Sequence, residues 1–506
     1  MYAFGVLALA ALVTFGVVLA TRNGIGTSPD SAVYLGTAEN LLTGNGLTVP
    51  VGDAPGGALT RFPPLYPLVL AGIGAVGASL SHAGRLVAGL SFVGLILVVD
   101  GIATRTSMAG LIAACLIAVS PTIQLIHTMA WSEGLFLLLA FAGLLCLSRA
   151  IEQNDRLWFW LSVGAMALAC LTRYAGLAFV FAGATGVFLW GGPDRRSRLR
   201  RSLTYAGASS LPVLLWTGWM ASTSSGIGGR EIGVHWVGRV QVEQAVGTLA
   251  GWLLLPMETP GWVKLSIVGL CTAALIGVVW LYEGPGRKRR EGGRPGDGER
   301  PIALRLLALT VVTYSLFLIL VVSFLDANTP MDDRLLSPVL VVAIVLAAKG
   351  FGWAYARGGM PARLAILILI PAVALYGVRS LGLIGDGYTH GIGFGREEWR
   401  KSETIARVRD LPEARPIYSD SPEAVYLLTG RAAYRWPRQF LTTGRKVNDL
   451  YAEQLAGIAR QLGRSGGAVV DFDQVGPEID VAGLVSLAPK VTDTADGRIY
   501  EFETGG

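Results

Sequence analysis

The chain has 506 residues, of which 52% are hydrophobic and only 15% charged, against about 25% charged in ordinary soluble domains. That deficit, with 66 glycines suited to close helix contacts in lipid, argues against a large water-soluble core and for a membrane protein. The formal charge of +6 sits in short basic clusters between apolar runs, as topology signals do, which argues against nucleic-acid binding.

Taken in chain order, residues 1–20 form an apolar stretch with no basic n-region, so they read as a signal anchor rather than a cleaved signal peptide. Ser28 and Pro29 start a short helix that Gly44 ends. Residues 62–81 are apolar enough to span. Counting them as a span would put the loop holding Glu133 on the opposite face from the loop holding Asp30, so they are expected to form a juxtamembrane helix. Further span-length stretches follow at 84–104, 108–128, 133–150, 157–172, 174–191, 202–221, 262–283, 303–325, 335–356 and 361–385. With 1–20 they give about eleven transmembrane helices and place the two termini on opposite sides.

Orientation follows from two basic clusters, Arg195, Arg196, Arg198, Arg200 and Arg201, then Arg287, Lys288, Arg289, Arg290 and Arg294. With both in the cytoplasm, Met1 is inside. Residues 21–83, 129–133, 222–261, 326–334 and 386 onward are then outside. The linker 284–301, rich in Gly, Arg and Pro, is expected to be a disordered cytoplasmic loop.

Composition divides the chain into 1–385, a transmembrane catalytic domain, and 386–506, a small soluble α/β domain outside the membrane. In the second part, 416–418 and 468–472 are expected strands and a helix is expected to start at Ser421. Tyr451, Leu455, Ile458 and Leu462 share one helical face, and Asp496 with Gly497 makes a hairpin turn. Cys115, Cys146, Cys170 and Cys271 all lie in apolar segments and read as small buried hydrophobes. His82, His127, His235 and His390 have no metal-ligand spacing.

The chemistry concentrates in the outer loops. Asp30 sits in the first turn of its helix, where the helix dipole favours a negative charge, and Tyr34 lies one turn later on the same face. Next come Gly44 and Gly46, then Pro63, Pro64, Leu65, Tyr66 and Pro67 opening the apolar helix. Together these patches resemble the GT-C glycosyltransferases, in particular the branch of protein mannosyltransferases and aminoarabinose transferases. The resemblance extends to Ser132 and Glu133 after a span, to Leu171, Thr172, Arg173 and Tyr174, and to the run from Asp332 to Pro338.

That resemblance implies a mainly α, polytopic GT-C fold and a polyprenyl-phosphate-linked sugar donor. It makes Asp30 the catalytic base or acceptor-orienting group, with Glu133 the second catalytic acid residue. Tyr34, Arg61, Tyr66, Arg173, Asp333 and Arg334 are the candidate substrate-binding residues. The chemistry agrees: transfer to a hydroxyl needs a carboxylate for the acceptor proton and cations for the departing phosphate. Arg suits bidentate phosphate contact, and Arg173, inside an apolar stretch, either faces a polar cavity or snorkels. No metal site is assigned, and a divalent cation stays open as a cofactor, since Asp332 and Asp333 are equally well read as solvated loop residues.

The expected protein is therefore a hexosyl- or pentosyltransferase of a bacterial plasma membrane. Its partners are the lipid-linked donor, membrane lipid, and a glycan, lipid or protein acceptor. The alternatives are a transporter or flippase of lipid-linked sugars, whose charges would line a path through the bilayer, and an inactive GT-C scaffold.

Overall fold

The computed structural model describes residues 2–103, 107–223, 233–283, 302–441, 446–472, 484 and 490–503. α1 (Tyr2–Ala20) leads into a first loop that carries α2 (Pro29–Leu42), the short strand β1 (Val51–Gly52) and α3 (Leu65–Gly74). The bundle continues with α4 (Leu80–Ile102), α5 (Met108–Ala118), α6 (Pro121–Ile126), α7 (Glu133–Gln153), α8 (Arg156–Thr172) and α9 (Gly176–Trp190). It is completed by α10 (Arg195–Thr223), α11 (Arg239–Trp252), α12 (Gly261–Glu283), α13 (Ile302–Phe324), α14 (Ser337–Arg357) and α15 (Gly359–His390).

Among the described residues seven helices, α1, α4, α7, α12, α13, α14 and α15, are long and apolar enough to cross a membrane. The other four expected spans are also helical but shorter or more polar. α5 stops at Ala118 and α6 resumes at Pro121, whose missing N–H is harmless at a helix start. α8 and α9 have 17 and 15 residues, and α10 opens on its arginines and contains Pro212. α3, at ten residues, is about 15 Å long, half of what a hydrocarbon core of about 30 Å requires. The stretch 62–81 is thus not a span, as the topology argument expected. The linker 284–301 lies outside the described residues.

α7 is the centre of the bundle, packed on α4, α8, α9 and α13. Phe136, Leu137, Ala140, Phe141, Leu144 and Leu147 recur at helical spacing and are all buried, which gives α7 a continuous packed face. Because lipid is as apolar as these side chains, tight van der Waals fit rather than the hydrophobic effect holds such helices together.

Beyond α15 the chain forms α16 (Glu397–Arg400), α17 (Glu403–Asp410), β2 (Ile417–Ser419), α18 (Pro422–Thr429), β3 (Ala433–Arg435), β4 (Phe440–Leu441) and β5 (Lys446–Val447). α19 (Tyr451–Ser465), β6 (Gly467–Asp471), β7 (Lys490–Thr494) and β8 (Gly497–Phe502) follow. The main sheet has the order β1-β3-β2-β6-β8-β7. Its first four strands are parallel, while β8 pairs antiparallel with both β6 and β7. Trp399 packs between Phe394 and Phe472, at ring-centroid distances of 5.1 and 5.3 Å.

One edge of this sheet is not made by the C-terminal part of the chain. β1 comes from the first loop and pairs with β3, Val51 opposite Ala433 and Gly52 opposite Tyr434. α18 packs on α2, and Tyr426 donates its hydroxyl hydrogen to Glu39. Thr27 bridges to Gly393, whose φ of +61° and whose lack of a Cβ let the Thr27 carbonyl approach. The helix carrying Asp30 is therefore held from both the bundle and the C-terminal sheet.

Candidate active site

Asp30, Glu133, Arg173 and Arg334, hundreds of residues apart at the extremes, meet in one cluster. Each stands at a helix end or break. Asp30 is in the first turn of α2 and Glu133 is the first residue of α7. Arg173 is the residue between α8 and α9, in an extended conformation with φ −150° and ψ 138°. Arg334 lies in the turn before α14. Arg173 falls between the expected spans 157–172 and 174–191, and the helix breaks there, which brings the guanidinium to the cluster rather than along a span.

Arg334 joins the two carboxylates. Its Nη2 is 2.5 Å from Asp30 Oδ2, and its Nε donates to Glu133 Oε1. Arg173 Nη1 is 2.6 Å from the same Glu133 oxygen. Two guanidinium charges thus face two carboxylate charges. Burial by itself would lower the Arg334 pKa, but Glu133 and Asp30 outweigh it and raise the pKa, keeping the group cationic. Its plane lies 4.4 Å from the centre of the Trp131 ring, a cation–π contact. The Trp131 indole donates to Ser28 Oγ at 2.7 Å, which ties the loop before α7 to the start of α2.

The two carboxylates differ in access. The Glu133 side chain is 2% exposed and Asp30 is 22% exposed. Ser132 does not cap α7 with its side chain. Its hydroxyl instead accepts from Arg173 Nη1 at 3.2 Å and lies 3.0 Å from the Tyr34 hydroxyl. Tyr34 is buried against Phe62 and, edge to face, Tyr66, at 4.9 and 5.1 Å between ring centres. Burial, reinforced by Asp30, pushes the Tyr34 phenol well above its ordinary range, so it stays a neutral hydrogen-bonding group.

Arg61 is outside the cluster: it is exposed, with its guanidinium 5.6 Å from the Phe62 ring centre. Tyr66 forms a buried support beneath Tyr34. Asp333 turns away from Arg334's partners and accepts from Thr122 Oγ1 at 3.1 Å and Trp252 Nε1 at 2.6 Å. Burial raises the Asp332 carboxyl above its ordinary value, with Glu133 and Asp333 adding to the effect against the Leu335 N–H that it accepts. Among the described residues, no group of three or more His, Cys, Asp or Glu side chains is placed to hold a metal ion. Trp131 is the cluster member to which the sequence assigned no role, while Ser132 entered as part of the stretch after a span that carries the resemblance.

A sequence model of the dolichyl-phosphate-mannose-protein mannosyltransferase family matches residues 61–219, the part that holds Tyr66, Glu133 and Arg173. No curated protein matches the chain. By structure it is similar to ArnT from Cupriavidus metallidurans in the apo state, with 15% identity, a TM-score of 0.60 and 100% of both chains covered. The chain has the GT-C fold. ArnT bound to undecaprenyl phosphate gives 14% identity and a TM-score of 0.57 over 99% of each chain. The GT-C likeness extends to the Archaeoglobus fulgidus oligosaccharyltransferase in complex with Zn and sulfate. There the identity is 14%, the TM-score 0.56, and the match covers 92% of this chain and 68% of that one. Arabinofuranosyltransferase AftD from Mycobacteria has 16% identity and a TM-score of 0.55, and the match covers 99% of this chain but only 40% of AftD. At these identities the common property is the GT-C fold.

Proposed function

We propose that this protein is a glycosyltransferase that moves a sugar from a polyprenyl-phosphate donor to an acceptor hydroxyl at the outer face of a bacterial plasma membrane. The observation that carries it is the difference in access between two carboxylates clamped by one guanidinium. Asp30 reaches solvent while Glu133 is buried between Arg173 and Arg334. Asp30 accepts the acceptor's hydroxyl proton. The acceptor oxygen bonds to the sugar's anomeric carbon as the carbon–oxygen bond to phosphate breaks, and the electron pair stays on the phosphate. Glu133 holds the two guanidinium groups in place, and these face the charge that develops on the departing phosphate.

The single displacement, with inversion at the anomeric carbon, and the transfer of one hexosyl or pentosyl unit rest on the GT-C likeness. A transporter would string its polar groups along the depth of the helices, whereas this cluster is built from helix ends and breaks. Transfer from a synthetic polyprenyl-phosphate sugar by purified protein in nanodiscs, with and without chelator, tests the activity and its need for a divalent cation. Accumulation of that donor, with a surface glycan short of one sugar in a deletion strain, identifies the linkage. Fusion reporters test the side: the reading requires 193–201 in the cytoplasm and the C-terminus outside, and a cytoplasmic C-terminus contradicts it.

A further inference from the structure

The C-terminal part of the chain has a pocket of its own, about 600 Å³ in volume, at the amino ends of β2 and β3. It is lined by the 413–416 loop, the 429–432 turn, Tyr434 of β3 and the last turns of α19. None of these residues belongs to the cluster around Asp30.

Tyr434 is its aromatic wall. Within the parallel part of the sheet, the residues paired with it are Tyr418 on β2 and Gly52 on β1. The Tyr418 ring stacks on it, with centroids 5.1 Å apart and planes 27° from parallel. On the other side stands a glycine, where a Cβ would meet nothing within 4 Å, so that flank of the ring is left uncovered. The Tyr418 hydroxyl donates to Gln461 Oε1 at 2.6 Å, which orients the amide and leaves its N–H groups as donors. The charged groups that line the pocket do not make an anion site. Arg431 commits its guanidinium to the main-chain carbonyls of Val408, Leu411, Pro412 and Arg415, at 2.8 to 3.1 Å, and Glu413 is near enough to offset its charge. Arg415 is paired with Glu501 at 3.7 Å. What the pocket offers a ligand is a tyrosine ring, an amide, the Ser465 hydroxyl and the exposed Glu413 carboxylate.

We propose that this pocket binds a neutral saccharide, a hexose or pentose oligosaccharide, with one sugar ring lying on the open flank of Tyr434. A sugar ring has the two surfaces that the pocket matches. Its patch of C–H groups, slightly positive, suits the negative face of an aromatic ring, and its rim of hydroxyls accepts from Gln461 and donates to Glu413 and Ser465. The proposal rests on the glycosyltransferase function in one respect: the bound saccharide is then the acceptor glycan, held through sugars behind the one that receives the transfer. Such a second foothold raises the local concentration of the acceptor and lowers its KM without touching the chemical step. β1, whose Gly52 leaves the ring open, belongs to the loop that also carries α2 and Asp30, so the saccharide would lie on a sheet fixed to the catalytic helix.

The test is titration of mannotriose and arabinotriose against the purified full-length protein in nanodiscs, without donor, read by saturation-transfer NMR. Saturation is expected to reach the ring C–H protons of at least one trisaccharide. Tyr434→Ala should weaken that binding roughly tenfold, while Tyr434→Phe keeps it. Ala414→Trp fills the pocket from an exposed loop position and leaves the tyrosine pair in place, so it should abolish binding and serves if Tyr434→Ala does not fold. In the transfer assay Ala414→Trp should raise the KM for an oligosaccharide acceptor and leave kcat and the donor KM unchanged. No binding of either trisaccharide by the wild type, or equal binding by Ala414→Trp, overturns the proposal. An unchanged acceptor KM in Ala414→Trp overturns the assignment of the saccharide as acceptor. Binding that follows the expected pattern in a protein with no transfer activity would remove the glycosyltransferase function and leave the saccharide site standing.

Discussion

Arg334 and Asp30, 304 positions apart in the chain by their numbers, are in direct contact, Nη2 to Oδ2 at 2.5 Å, and the same guanidinium donates to Glu133 through Nε. A fork of this kind fixes the accessible carboxylate relative to the buried one, because a planar guanidinium presents its donors in set directions.

Lysine cannot reproduce that fork. Arg334→Lys keeps the charge but serves one carboxylate at a time, so kcat should fall by the equivalent of roughly 2 to 4 kcal/mol of transition-state stabilisation. Single-turnover transfer in nanodiscs at matched folded amounts measures it. A Lys variant with wild-type kcat would mean that the fork has no part in the chemistry.

The contact between Tyr426 and Glu39 links the C-terminal sheet to the helix that bears Asp30. On α2, Gly36 lies close under Pro50 and the Tyr426 ring, so any side chain there collides with both. Tyr426→Phe should reduce kcat a few-fold with little change in donor KM, through a hydrogen bond worth about 1 kcal/mol. Gly36→Val should do so more severely by tilting α2. Unchanged kcat in Gly36→Val, with the protein folded, would show that the sheet does not position Asp30.

Asp420 follows β2, where burial first and the neighbouring Asp471 second push its carboxyl up to about 6. Because the folded pKa lies above the unfolded value, folding favours the protonated form. The stabilising effect is complete below the unfolded pKa near 4 and is lost as pH rises through 6. Asp420→Asn should therefore stabilise the protein at pH 7.5, by roughly 1 to 2 kcal/mol after allowance for partial exposure, and have little effect at pH 4. Thermal unfolding of both forms across that range checks it. A stabilisation that does not vary with pH would assign the effect to something other than this ionisation.

The spans are legible in the sequence because lipid dictates composition over some twenty residues, and all eleven apolar segments fall on helices. Asp30, Glu133, Arg173 and Arg334 are legible as charges that interrupt or border those segments. Their mutual contacts are not: Arg334 and Glu133 are 201 residues apart, and nothing local records which loops face each other. The two-residue β1 carries no periodicity, so its pairing with β3 had no signal.

The most direct measurement of the central claim is transfer by Asp30→Asn protein in nanodiscs, with folding checked by unchanged thermal unfolding and lipid-head binding checked with farnesyl phosphate. Asparagine keeps the shape but cannot take the acceptor's proton, so turnover should drop by a factor of about 10² to 10⁴ while farnesyl phosphate binds normally. Turnover within a few-fold of wild type at the same folded amount would contradict Asp30 as the base.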